Sequence, residues 1–117
     1  HPCLAGVIIL AAVRYQTHRE DPQTFVRVTE GVRSPERQRA LVRSGDSWTM
    51  DSYHLKGLAV DVALFPRGEV TWDFEHYRDF SEYVLDAAQD FGVLITWGGE
   101  WQVRDGCHFQ LEARSRF

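Results

Sequence analysis

The sequence holds five histidines, and spacing sets two of them apart. His54 lies seven residues before Asp61, with Gly57 between them, and His108 lies three residues after Asp105, with Gly106 between them. Two imidazoles and one carboxylate form a nitrogen, nitrogen, oxygen set that suits zinc. Three protein ligands rather than four leave a position for water, as catalytic zinc sites do. Asp105 is then a spare carboxylate beside the metal, placed to take a proton from an attacking water and return it to a leaving nitrogen. Each residue also has a plainer reading. Asp61 can cap a turn or pair with Arg67, His108 can be a partly buried strand histidine, and Asp105-Gly106 is a common turn dipeptide. His1, His18 and His76 are terminal, at a helix end and among charged residues, and read as solvated.

These side chains can meet only if particular elements carry them. A separation of seven reverses the face of a strand, so the loop at Gly57 must turn His54 back toward Asp61. Gly106 permits the bend that aims Asp105 and His108 into one site. Leu58 to Phe65 alternates as a strand, with Leu58, Val60, Val62 and Leu64 on one face and Ala59, Asp61 and Ala63 on the other. Its single carboxylate is flanked by the smallest side chains, which leaves space around it. Cys107 to Glu112 reads as the last strand, with His108, Gln110 and Glu112 opposite Phe109 and Leu111. That parity points Cys107 away from His108.

The remaining elements follow from periodicity and punctuation. Apolar spacing predicts a helix from Leu4 to about His18, and Phe25 to Glu30 is a short β-branched strand with Val26 and Val28 on one side. Ser34-Pro35-Glu36 supplies a cap hydroxyl, a proline at the first helical position and an acid, opening a helix that lasts until Gly45; Arg33 sits just before the cap. Phe74 to Phe91 is a long amphipathic helix closed by Gly92. Val93 to Trp97 is a third strand, and Trp97-Gly98-Gly99-Glu100-Trp101 a glycine-jointed loop. Without a strict βαβ rhythm, the expected class is α+β, a small and mainly antiparallel sheet flanked by helices.

At 117 residues and 44% hydrophobic, the chain is expected to form a single domain, residues 1–117, acting as a monomer. A net charge of -4 without runs of like charge argues against a nucleic-acid surface. The apolar run from Cys3 to Val13 is shorter than the roughly 20 residues a membrane span needs, and no signal segment is visible. Cys3 and Cys107 are either two thiols or one bridge.

The segment Ser52-Tyr53-His54-Leu55-Lys56-Gly57-Leu58-Ala59-Val60-Asp61 resembles the Ser-x-His-x-x-Gly-x-Ala-x-Asp motif of the zinc D-alanyl-D-alanine carboxypeptidase and L-alanyl-D-glutamate endopeptidase superfamily. Glu30-Gly31-Val32-Arg33-Ser34 with Arg37-Gln38 is similar to its arginine-bearing turn and helix, and Trp97-Gly98-Gly99-Glu100-Trp101 with Asp105-Gly106-Cys107-His108-Phe109-Gln110-Leu111 to its closing zinc segment. The Trp-Gly-Gly-x-Trp loop and the Asp-x-x-His-Phe ending are closer to the L-alanyl-D-glutamate endopeptidase branch, found in phage endolysins and bacterial wall hydrolases. The resemblance implies a hedgehog/D-Ala-D-Ala-peptidase-like fold, one zinc ion on His54, Asp61 and His108, Asp105 as general base, and Arg33 at the oxyanion or a substrate carboxylate. It also implies a substrate contact at Ser52, and Tyr53, Trp97 and Trp101 are expected to line the groove for a peptidoglycan stem peptide. The reaction would take place at the cell wall, in the periplasm or outside the cell, and a phage-encoded enzyme would wait in the cytoplasm for holin-type release. A D-alanyl-D-alanine carboxypeptidase and a non-catalytic zinc-bearing wall-binding module remain alternatives.

Overall fold

Alternating side chains on one strand determine how the layers stack. The computed structural model describes residues 1–31, 34–45 and 57–112, and the accounts below concern these. Strand β2 (Ala59–Phe65) pairs antiparallel with β1 (Phe25–Glu30) on one side and with β4 (His108–Leu111) on the other; β3 (Ile95–Trp97) pairs antiparallel with β4 and completes the order β1-β2-β4-β3. Directly opposed residues project to the same face. The register Val60 to Phe109 to Trp97 therefore puts Val60, Val62, Leu64, Phe109, Leu111, Ile95 and Trp97 on one face, and all of them are buried.

Helices α1 (Pro2–Arg19) and α3 (Phe74–Phe91) cover that face. Their buried residues Leu4, Val7, Ile8, Ala11 and Tyr15, and Tyr77, Phe80, Val84 and Ala88, recur at helical spacing and complete the core. Burying each large apolar side chain stabilises the fold by roughly 1.5–3 kcal/mol before entropy is counted. Helix α2 (Pro35–Ser44) begins where the hydroxyl of Ser34 accepts from the Arg37 amide at 3.1 Å, and ends at Gly45 in the left-handed region. Gln38 is its one buried side chain. Cys3 and Cys107 are not joined, which resolves the open choice in favour of two thiols. Among the described residues no helix is long and apolar enough to cross a membrane.

The expected elements and their class hold, with small differences at the ends. β3 begins two residues later than the expected Val93, because the Val93 amide still donates to the Ala88 carbonyl at the end of α3. β4 begins at His108 rather than Cys107, because Cys107 belongs to the turn preceding it.

Candidate active site

The face of the sheet turned away from α1 and α3 carries the polar residues. Asp61 of β2 stands directly opposite His108 of β4, so both side chains leave the sheet on this face, and the His108 Nδ1 lies 3.0 Å from the Asp61 Oδ1. Glu30 of β1 stands opposite Asp61 on the other side. It reaches that place through a β-bulge: the register shifts between Val28 and Glu30, which turns the end of β1 toward this row of polar groups. A second row, Ala59, Gln110 and Thr96, runs alongside. The Gln110 Oε1 lies 2.9 Å from the other imidazole nitrogen of His108, Nε2.

His108 is thus held between two oxygen acceptors. Burial alone would lower its pKa, but the hydrogen bonds to Asp61 and Gln110, with the charges of Asp61 and Asp105, outweigh burial and hold it above the usual imidazole range. The ring of Trp101 lies against the imidazole, centroids 5.1 Å apart, and is 37% exposed.

The turn before β4 carries Asp105, and a glycine-jointed segment fixes that turn. After β3 a short 3₁₀ turn (Gly98–Glu100) brings the Gly98 carbonyl to the amides of Asp105 at 2.9 Å and Trp101 at 3.2 Å. A Cβ on Gly98 would lie 2.5 Å from the Asp105 carbonyl oxygen and 3.2 Å from the His108 Cβ, so only glycine allows the approach. The indole N–H of Trp97 donates to the Gly106 carbonyl at 2.7 Å, and the His108 amide donates to the Asp105 carbonyl at 3.2 Å.

Two expectations are corrected here. Trp97 does not face the peptide groove: its register with Phe109 directs it into the core, where it is 6% exposed and braces the turn from below. Cys107 does not point away. Strand parity fails in a turn, and its Sγ sits 3.2 Å from the Asp105 Oδ1. Burial and the adjacent carboxylates of Asp61 and Asp105 push the Cys107 thiol well above its usual range, so it is neutral.

One ligand atom each from Asp61, Asp105 and Cys107 lies within 4.8 Å of the others, so the described residues include a cluster able to hold a metal ion. Carboxylates and a cysteine sulfur are donors zinc accepts, and the His108 imidazole, 3.0 Å from Asp61, adds a nitrogen beside that cluster. Two ligands on one tetrahedral zinc stand roughly 3.3 Å apart, given metal–ligand distances of about 2.0–2.2 Å, close to the separation of Asp61 and His108. His54, Ser52, Tyr53 and Arg33 lie outside the described residues. The sequence groups His108 with His54, Asp61 and Asp105 but gives Gln110 no role; its signal is the i, i+2 spacing on the same polar face, which becomes a contact only once the strand is fixed.

Comparison with known proteins identifies the family. The profile of the phage L-alanyl-D-glutamate peptidase family matches residues 9–115. The L-alanyl-D-glutamate peptidase of Listeria phage A118 is 37% identical over 87 residues, covering 74% of this chain and 30% of that protein. The peptidoglycan L-alanyl-D-glutamate endopeptidase CwlK of Bacillus subtilis (strain 168) is 32% identical over 101 residues, covering 72% of this chain and 59% of that one. The chain thus spans less than two thirds of the length of these curated relatives. The crystal structure of the Serratia marcescens L-Ala D-Glu endopeptidase ChiX is similar with a TM-score of 0.84 at 44% identity, covering 96% of this chain and 80% of that chain. With its profile matched over residues 9–115, this chain belongs to the phage L-alanyl-D-glutamate peptidase family.

Proposed function

We propose that this chain hydrolyses the L-alanyl-D-glutamate bond of peptidoglycan stem peptides at the cell wall, with one zinc ion held by His54, Asp61 and His108. The observation that carries this reading is the cross-strand pairing of Asp61 and His108 beside the pinned turn of Asp105. The ion, when bound, supplies Lewis-acid polarisation of the scissile carbonyl and lowers the pKa of a water at the open position to about 7. Asp105 accepts the proton of the attacking water as the new C–O bond forms, and delivers it to the departing D-Glu nitrogen as the C–N bond breaks. The role of Arg33, a cation that does not lose its proton, is to stabilise the negative oxygen or to pair with the substrate carboxylate. Trp101, exposed beside His108, forms a wall of the peptide groove, with Ser52 and Tyr53 contributing contacts from the motif segment.

Digestion of purified sacculi followed by mass spectrometry tests the bond. New L-Ala carboxyl and D-Glu amino termini are expected, whereas free D-Ala would mean a carboxypeptidase, and binding without cleavage a wall-binding module. Asp105→Asn should lower turnover by about 10²–10⁴-fold or more while zinc content is retained. His54→Ala should lower both. An active, zinc-loaded Asp105→Asn variant would remove Asp105 from the role of base.

A further inference from the structure

We propose that Gln110 is a positioning residue for metal capture: its side-chain amide oxygen holds His108 in the one orientation and tautomer that presents Nδ1 to the metal beside Asp61. The inference rests on the zinc-site reading above and assigns a role that the motif itself does not include. Its basis is the set of contacts around a single ring. His108 and Gln110 are two residues apart on β4 and share a face, and the Gln110 Oε1 lies 2.9 Å from Nε2. An amide oxygen only accepts, so the imidazole nitrogen facing it must carry the hydrogen. The Asp61 carboxylate also only accepts, so in the metal-free ring Nδ1 carries a hydrogen as well; an ion on that side would take its place, and the Nε2–H that Gln110 accepts leaves the Nδ1 lone pair to the metal. Nδ1 is the nitrogen lying 3.0 Å from the Asp61 Oδ1, on the side where the two groups would share an ion.

Gln110 is itself well placed for this. β4 is an inner strand, and Gln110 pairs with Ala59 on β2 and Thr96 on β3. Both neighbours are shorter than glutamine, so its side chain has room to run along the sheet to His108, while Trp101 rests against the imidazole. Without the acceptor, Nε2–H loses this partner, and the orientation that presents Nδ1 beside Asp61 is held less firmly. Outer-sphere partners of metal-bound histidines typically change metal affinity by about 10–100-fold.

The test uses the full chain, with zinc alone as the probe. Zinc affinity is measured by competition with a chromophoric chelator, and the tautomer of His108 in the zinc-loaded chain by side-chain ¹⁵N shifts. Gln110→Met, similar in volume but without the acceptor, should weaken zinc binding by about 10–100-fold and leave the His108 ring without a single tautomer. Gln110→Thr, a β-favouring residue too short to reach Nε2, should do the same. Gln110→Glu, whose carboxylate also accepts from Nε2–H, should restore both the affinity and the single tautomer. Unchanged zinc affinity in either Gln110→Met or Gln110→Thr, with His108→Ala losing zinc, would overturn the proposal and leave the zinc site standing. Retention of zinc by His108→Ala would instead overturn the site reading and the proposal with it.

Discussion

Among the described residues of the site, His108 is held from both sides of its ring. It faces Asp61 through one nitrogen and Gln110 through the other, and these contacts, with the charge of Asp105, raise its pKa against the opposing effect of burial. The sign of the consequence is definite. A group whose pKa is higher in the fold than in the unfolded chain, about 6.5 for histidine, stabilises fully below that value and loses its contribution as pH rises through the folded one. In the presence of chelator, Asp61→Asn should therefore lower the urea midpoint most near pH 5.5, and the gap from the unaltered chain should narrow toward pH 8. A gap that stayed constant or widened with pH would show that the pair carries no ionic contribution. Cys107 shows how an odd or even position misleads outside a strand: its neighbours are the site carboxylates because it lies in the turn, one residue before alternation begins.

Among the elements, the segment joining β3 to β4 does most to set the site. The bonds from the Gly98 carbonyl and the Trp97 indole hold the Asp105–His108 turn against the sheet. The glycines and the tryptophan of this segment stand out in the sequence, but their division of labour does not. Which tryptophan supports the turn and which stays exposed beside His108 depends on register, Trp97 being opposite Phe109, and a register is not written in one segment alone. Gly98→Ala would drive a Cβ into the Asp105 carbonyl, so the turn must move. We expect a cost of about 1–3 kcal/mol in thermal or urea unfolding, with weaker zinc binding in chelator competition. Unaltered zinc affinity in that variant would show that the segment does not set the geometry of the site.

At the scale of the molecule, the face that carries Asp61 and His108 depends on the opposite one. Phe80 of α3 is wholly buried and meets Tyr15 of α1 and Phe109 of β4 edge to face, at 5.3 and 5.8 Å between ring centroids. It ties both helices to the strand that carries His108. Phe80→Ala should cost about 3–5 kcal/mol, a large share of the 5–15 kcal/mol typical of a domain. Because one core joins all three elements, the proposed single domain of residues 1–117 should unfold in one transition, with coincident circular dichroism and tryptophan fluorescence curves. Separate transitions would divide the chain into independent units.

What could be read in advance was whatever short-range chemistry controls. Caps at Ser34 and Gly45, the helical stripes of α1 and α3 and the alternation of β2 depend on neighbours within a few residues, and all of them were legible along with the motif around Asp61. Tertiary structure decided the rest: that Asp61 meets His108 across 47 residues, that Trp97 turns inward, that Cys107 sits by Asp105, and that Gln110 reaches the far side of the imidazole. Periodicity says that a side chain belongs to a face. Only strand register and the path of a turn bring two such faces together.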